Sequence, residues 1–198
     1  MTVQIDDPRL GKAQCPALKP VEKLHSNPWF DVMCRGGYYT VESTIVQVSV
    51  LPVVEDRSVI LVRVKRPVLN DVTLELPAGG VDPEETPAQA AAREFSEETG
   101  VRVTDAARFI PIPPLVVSST RFPALPYLFQ VNIRREEWDA RGSFDSEIEG
   151  VDCVDFEDLR RMIADSTMYV SLPMAIISRF LFQRALAVGA RVNEHKTT

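Results

Sequence analysis

Glu94, Glu97 and Glu98 stand at i, i+3 and i+4. On a helix this spacing brings three carboxylates onto one arc, where each like-charged pair costs roughly a few tenths of a kcal/mol. The one cation beside them, Arg93, leans to one side. The spacing therefore points to an external cation. Carboxylate oxygens suit a hard divalent ion, and Mg²⁺ takes a few carboxylates together with waters and substrate phosphates. From the spacing alone, a solvated acidic helix face remains the alternative.

The segment that must position these residues is well marked. Thr86 can cap a helix, Pro87 fits its first position, and Gln89 completes a capping box. Gly100 supplies the stop. At 100° per residue Ala88, Ala91, Ala92 and Phe95 form the expected buried arc, and three alanines there imply close approach to a sheet. Ahead of the helix, Glu75-Leu76-Pro77-Ala78-Gly79-Gly80 reads as a strand end entering a glycine turn. Glycine lets backbone come close to a ligand, and carbonyls released by such a turn can bind a metal.

Around this centre the pattern is mixed. Alternating, β-branched runs at 45–50 and 60–65, separated by Glu55-Asp56-Arg57, predict a hairpin. A third run covers 127–134 and a shorter one 151–154. Helical spacing appears again from about Asp155 and from about Ser171. Strand-like periodicity begins at Tyr38, and the polar stretch before it reads as an arm. The expected organisation is an N-terminal arm or strand region over 1–37, a main domain over 38–190 and a tail over 191–198. Strands and helices mix without a regular βαβ repeat, so the expected class is α+β or a mixed-sheet sandwich.

Composition excludes several functions. Among 198 residues, 22 Lys and Arg face 28 Asp and Glu, for a net charge of −6. No basic face for nucleic acid is expected. No run approaches the roughly 18 apolar residues of a membrane span, and no leader is visible, so the expected compartment is cytoplasmic. Cys15, Cys34 and Cys153 lack C-x-x-C spacing, and His25 and His195 are isolated, which argues against disulfides or a zinc site. The charge is also localised. Between Asn70 and Glu98 there are eight acidic residues and one basic, a local −7 that leaves the rest at +1.

Taken together, Gly79, Glu85, Arg93-Glu94-Phe95, Glu97-Glu98 and Gly100-Val101 fill every specified position of the pattern G-x5-E-x7-R-E-U-x-E-E-x-G-U, with U a bulky apolar residue. A chance match in a chain this long is below about one in a million. The chain thus resembles the Nudix hydrolase family, in motif over 75–101 and more weakly over about 38–187. The resemblance implies an α/β/α sandwich on a mixed sheet, with the motif forming loop–helix–loop. It also implies Mg²⁺- or Mn²⁺-dependent hydrolysis of a nucleoside diphosphate joined to another moiety.

By the same resemblance, Glu94, Glu98 and the Ala78 carbonyl are the expected metal ligands. Glu97 is a ligand or orients one, Arg93 and Glu85 pair to hold the loop, and Gly79 and Gly100 shape it. The E-L-P-A-G entry at 75–79 and Lys65-Arg66-Pro67 are similar to the ADP-ribose pyrophosphatase-like group. There Arg66 and Glu75 would face substrate, and the general base would come from Asp145, Glu147 and Glu149. Glu147 is chosen, with Glu149 next. That group is usually a homodimer with exchanged N-terminal strands, which would put Trp29 against the nucleotide base. The chain departs from the group at 111–121, where prolines occur without a Ser-Pro-Gly turn. ADP-ribose or another nucleotide sugar is the expected substrate. NADH, a dinucleoside polyphosphate, or a non-catalytic sensing role are the alternatives.

Overall fold

The computed structural model describes residues 5–194, with side chains through residue 187. Among the described residues, ten strands form two sheets. The smaller sheet is antiparallel, in the order β1 (Val21–Ser26), β2 (Phe30–Arg35), β3 (Tyr38–Ser43). The larger holds β4 (Gln47–Val54), β5 (Ser58–Arg66), β6 (Asp71–Glu75), β7 (Ala78–Gly80), β8 (Ile110–Ile112), β9 (Tyr127–Ile133) and β10 (Ile148–Asp155). Its path is β10-β5-β4-β9-β8, with β6 added to β5 and β7 added to β4. The β4–β9 pair is parallel and the other pairs are antiparallel, so the sheet is mixed.

Helix α1 (Pro87–Thr99) and the short α2 (Arg135–Asp139) lie on one face. There Ala91, Phe95 and Trp138 pack with Val48, Ile60 and Val131. Helices α3 (Phe156–Ala164) and α4 (Ser171–Glu194) cover the other face, where Leu159, Ile177 and Phe180 meet Leu51, Val53 and Leu61. This is an α/β/α sandwich. Because both faces are covered, Val48–Val54 and Ser58–Val62 are buried throughout, as strands between two helix layers should be. The β4–β5 turn has Glu55 and Asp56 at φ 47° and 56°, and the Arg57 N–H closes it on Val54. Left-handed values at both central residues match the twist of a tight hairpin.

Several expectations are corrected. Strand structure begins at Val21, well before Tyr38, because β1 is exposed along its whole length and has no apolar face to read. The 37/38 boundary falls in the Gly36–Gly37 turn, inside the smaller sheet. The last helix runs to Glu194, beyond residue 190, and 195–198 lie outside the described residues. In α1, Ala90 joins Ala91 and Ala92 in the fully buried set, while Ala88 is only half-buried. Among the described residues, no helix is long and apolar enough to cross a membrane.

Candidate active site

The chain changes neighbours at Leu76–Pro77. Before this link, β6 pairs with β5; after it, β7 pairs with β4. The Val50 N–H donates to the Pro77 carbonyl at 2.8 Å, and the Val81 N–H to the Val46 carbonyl at 2.8 Å. With this alternation, Ala78 turns its own N–H and C=O away from β4. Its N–H instead donates to Glu98 Oε2 at 3.0 Å. A Cβ on Gly79 would lie inside the Glu94 carboxylate. Gly79 is therefore required for close approach, so that α1 can lower its acidic face onto this backbone.

Helix α1 is held at both ends. The Gln89 N–H donates to Thr86 Oγ1 at 3.3 Å, and the Thr86 N–H donates back to Gln89 Oε1 at 2.9 Å. At the other end Gly100 adopts φ 71° and its N–H reaches the Ser96 carbonyl at 3.0 Å. A Cβ there would run into the Gly142 carbonyl.

Arg93 sits at the centre of the acidic cluster rather than to one side. Its Nε and Nη2 grip Glu85 at 2.9 Å each, and Nη2 also reaches the Gly80 carbonyl at 2.8 Å. Its Nη1 donates to Glu94 at 2.9 Å and to Glu97 at 3.1 Å. These bonds raise the Arg93 pKa further and hold Glu85 below the usual carboxylate range. Burial pushes the Glu94 carboxyl up, against the opposing pull of Arg93. Glu98 is pushed up to about 8, mainly by burial, with the Ala78 N–H opposing and the charge of Glu94 adding. Two carboxyls kept from water at this spacing gain most from an added cation.

The remaining site candidates divide. Arg66, at the end of β5, binds Glu75 through Nε at 2.7 Å and Nη2 at 2.9 Å. Its guanidinium also feels the charges of Glu98 and Glu147, so these residues share one neighbourhood. Glu147 is exposed in the turn closed by the Ile148 N–H on the Asp145 carbonyl at 3.0 Å. That loop hangs from the end of α1, with the Gly142 N–H on Gly100 at 2.8 Å and the Asp145 N–H on Glu97 at 2.9 Å. Glu149 is exposed where the β10–β5 register shifts. Trp29 stands apart, 69% exposed in the turn between β1 and β2.

Among the described residues, no group of three or more His, Cys, Asp or Glu side chains is arranged to hold a metal ion by itself. The donor chemistry nonetheless fits a hard divalent ion. Glu94 and Glu98 are half-buried carboxyls with raised pKa values, the Ala78 carbonyl faces away from the ladder, and Gly79, lacking a Cβ, admits Glu94 beside it. Beside Ala78 lies a cavity of about 280 Å³, bounded by Val41 and Ser43 of β3, Gln47 and Ser49 of β4, Val117 and Phe122. Two contributors were invisible in the spacing. Thr73 bonds Glu75, and Gly142 docks on Gly100.

The family described as NUDIX domain matches residues 44–173. A solved structure titled "Crystal structure of ADP compounds hydrolase" superposes with a TM-score of 0.65 at 19% identity, covering 91% of this chain and 98% of that one. At that identity the likeness is one of fold.

Proposed function

The chain belongs to the Nudix family, and from that premise we propose that it hydrolyses the pyrophosphate bond of a nucleoside diphosphate derivative. The products would be a nucleoside monophosphate and a second phosphate ester. One observation carries the reading: Glu94 and Glu98 converge on the Ala78–Gly79 backbone, and the Arg66 guanidinium feels the charges of Glu98 and Glu147. Glu94, Glu98 and the Ala78 carbonyl would hold Mg²⁺, or Mn²⁺ in its place. Such an ion supplies charge neutralisation on phosphate oxygens and an activated water.

The chain's own groups do the rest. Arg66 pairs with phosphate oxygens, for which a planar guanidinium is well shaped. Glu147 accepts the proton of the attacking water as the P–O–P bridge breaks and the leaving phosphate departs. Arg93 and Glu85 hold the loop against the helix, and Glu97 shares the Arg93 charge. The cavity beside Ala78 receives the nucleoside half. Its apolar walls with a few polar groups suit a planar base better than a polyhydroxyl sugar.

Among derivatives, we take ADP-ribose or another nucleotide sugar as substrate. The E-L-P-A-G entry favours this, as does the shared fold with a protein titled as an ADP compounds hydrolase. The exposed aromatics of the smaller sheet favour a homodimer, with a second copy covering Trp29, Tyr38 and Tyr39. A panel of ADP-ribose, nucleotide sugars, NADH and dinucleoside polyphosphates, assayed with Mg²⁺ and Mn²⁺, tests the proposal. AMP release from ADP-ribose is the expected result. Metal-dependent turnover confined to NADH or dinucleoside polyphosphates would move the substrate. No turnover across the panel would favour a sensing role.

A further inference from the structure

Arg66 presents a puzzle of direction. It lies at the end of β5, opposite Asp71, and next along the chain comes the solvent-facing tip with Val68 98% exposed. A flexible, four-torsion side chain at a strand end gains entropy by extending outward. Instead it runs back along the strand. The register places Arg66 opposite Asp71, Val64 opposite Thr73, and Val62 opposite Glu75. Alternation therefore puts Arg66, Thr73 and Glu75 on the same sheet face. To reach Glu75, the Arg66 guanidinium crosses the Val64–Thr73 pair, which brings it toward Glu98.

Glu75 is held by donors from two residues, Arg66 and Thr73. Its side chain is 14% exposed, whereas that of Arg66 is 48% exposed. Glu75 Oε1 accepts from both Arg66 Nε, at 2.7 Å, and the Thr73 hydroxyl, at 2.6 Å. Thr73 is 1% exposed and has a single hydroxyl hydrogen. The competing acceptor, the Val64 carbonyl, is 3.3 Å away, so the hydrogen goes to Glu75. A β-branched residue locked by burial is a stiff anchor for such a bond.

We infer that Thr73 is a positioning residue for the phosphate-facing guanidinium of Arg66, acting through Glu75. The inference rests on the hydrolase reading above and goes beyond it. Thr73 touches no substrate; its hydroxyl fixes the carboxylate that turns Arg66 inward. Loss of the hydroxyl leaves the Arg66–Glu75 pair free to swing toward solvent, which weakens ground-state phosphate binding more than the chemical step.

The full-length chain tests this with two substitutions, Thr73→Val, which keeps the shape, and Thr73→Ser, which keeps the hydroxyl. With ADP-ribose and Mg²⁺, Thr73→Val should raise KM by about 3–10-fold, the scale of one hydrogen bond to a charged group. Its kcat should stay within about twofold, and Thr73→Ser should restore KM. Independently of turnover, the Arg66 Nε–H resonance in NMR, assigned by its loss in Arg66→Lys, should exchange slowly in wild type and Thr73→Ser. In Thr73→Val it should exchange fast. Unchanged Nε–H exchange in Thr73→Val overturns the inference whether or not the protein turns over substrate. A wild type without turnover but with the expected exchange pattern overturns the hydrolase reading and leaves the brace standing. Equal KM in all three proteins, with active wild type, also overturns the inference.

Discussion

Helix α1 and the β1–β3 sheet are held by different means. Helix α1 is capped at both ends, buries Ala90, Ala91, Ala92 and Phe95, and threads its polar face through the bonds of Arg93. The small sheet has its strand ladders and the Arg35–Glu42 pair, yet leaves Val21, Leu24, Trp29, Tyr38 and Tyr39 exposed. One region is finished within the chain; the other is built like half of a contact. On the function proposed above, the chemistry sits where the chain satisfies itself, and assembly would fall to the part that does not.

The sharpest break of this comparison is at Glu98. Glu98→Gln should lower metal-dependent turnover on the order of 1,000-fold, with an unfolding temperature no lower than wild type, read by paired kinetics and calorimetry. Full activity would remove Glu98 from the metal site. Next comes the base. Glu147→Gln should cost on the order of 100-fold in kcat with unchanged Mg²⁺ dependence, whereas Glu149→Gln should be near wild type. The reverse ranking would transfer the role to Glu149.

Two left-handed glycines compare the regions directly. Gly100 and Gly37 have φ 71° and 88°, but only Gly100 meets a carbonyl where a Cβ would stand. Gly37→Ala should cost about 1 kcal/mol, the left-handed penalty alone. Gly100→Ala should cost about 2–4 kcal/mol, because overpacking adds to it. Denaturant titration giving equal values would contradict the tight docking of the 142–145 loop.

Smaller still is a pH effect in the body. Hydrogen bonds from Arg108, and then Arg134, hold Glu137 down to about 2, against the opposing effect of its burial. A folded pKa below the unfolded value stabilises the fold above about 4.3. That stabilisation is lost as pH falls toward 2. Glu137→Gln should therefore lower stability by about 1 kcal/mol at neutral pH, after screening. The gap should close in acid, seen as a flatter acid limb in denaturation. Least of all, Trp29→Ala should shift monomer stability by under about 0.5 kcal/mol. Its effect should appear in sedimentation as weaker self-association. An unaltered association state would remove Trp29 from the interface.

Much of α1 was legible because its signals are local. Thr86, Pro87, Gln89 and Gly100 each act within a few residues, so the caps follow from spacing. The hairpin at Glu55–Arg57 was legible for the same reason. What escaped depends on contacts across the chain. The Gly100–Gly142 approach joins positions far apart in sequence, and nothing near Gly142 marks it. Thr73 reads as an ordinary strand threonine until the β5–β6 register sets Glu75 on its face. Strand β1 escaped because exposure removes the periodicity that reveals a strand, and β2 because its residues are mostly half-buried without alternation. Arg93 was visible, but its reach to Glu85, Glu94 and Glu97 together depends on the loop folding back.

The link at Leu76–Pro77 has a metrical consequence. It is the whole distance between the strand that carries Arg66's partner and the strand that carries Ala78. Side chains alternate with a period of two, so adding or removing one residue there would turn either Glu75 or Ala78 to the opposite face. Pro77 also lacks an N–H and cannot donate to a slipped ladder. The two residues thus act as a gauge block. They set the offset between Glu75 and Ala78, and so between the Arg66 guanidinium and the carboxylates that close on Ala78. On the proposed function, that offset would set the length of a ligand held by Arg66 at one end and by the metal ion at the other.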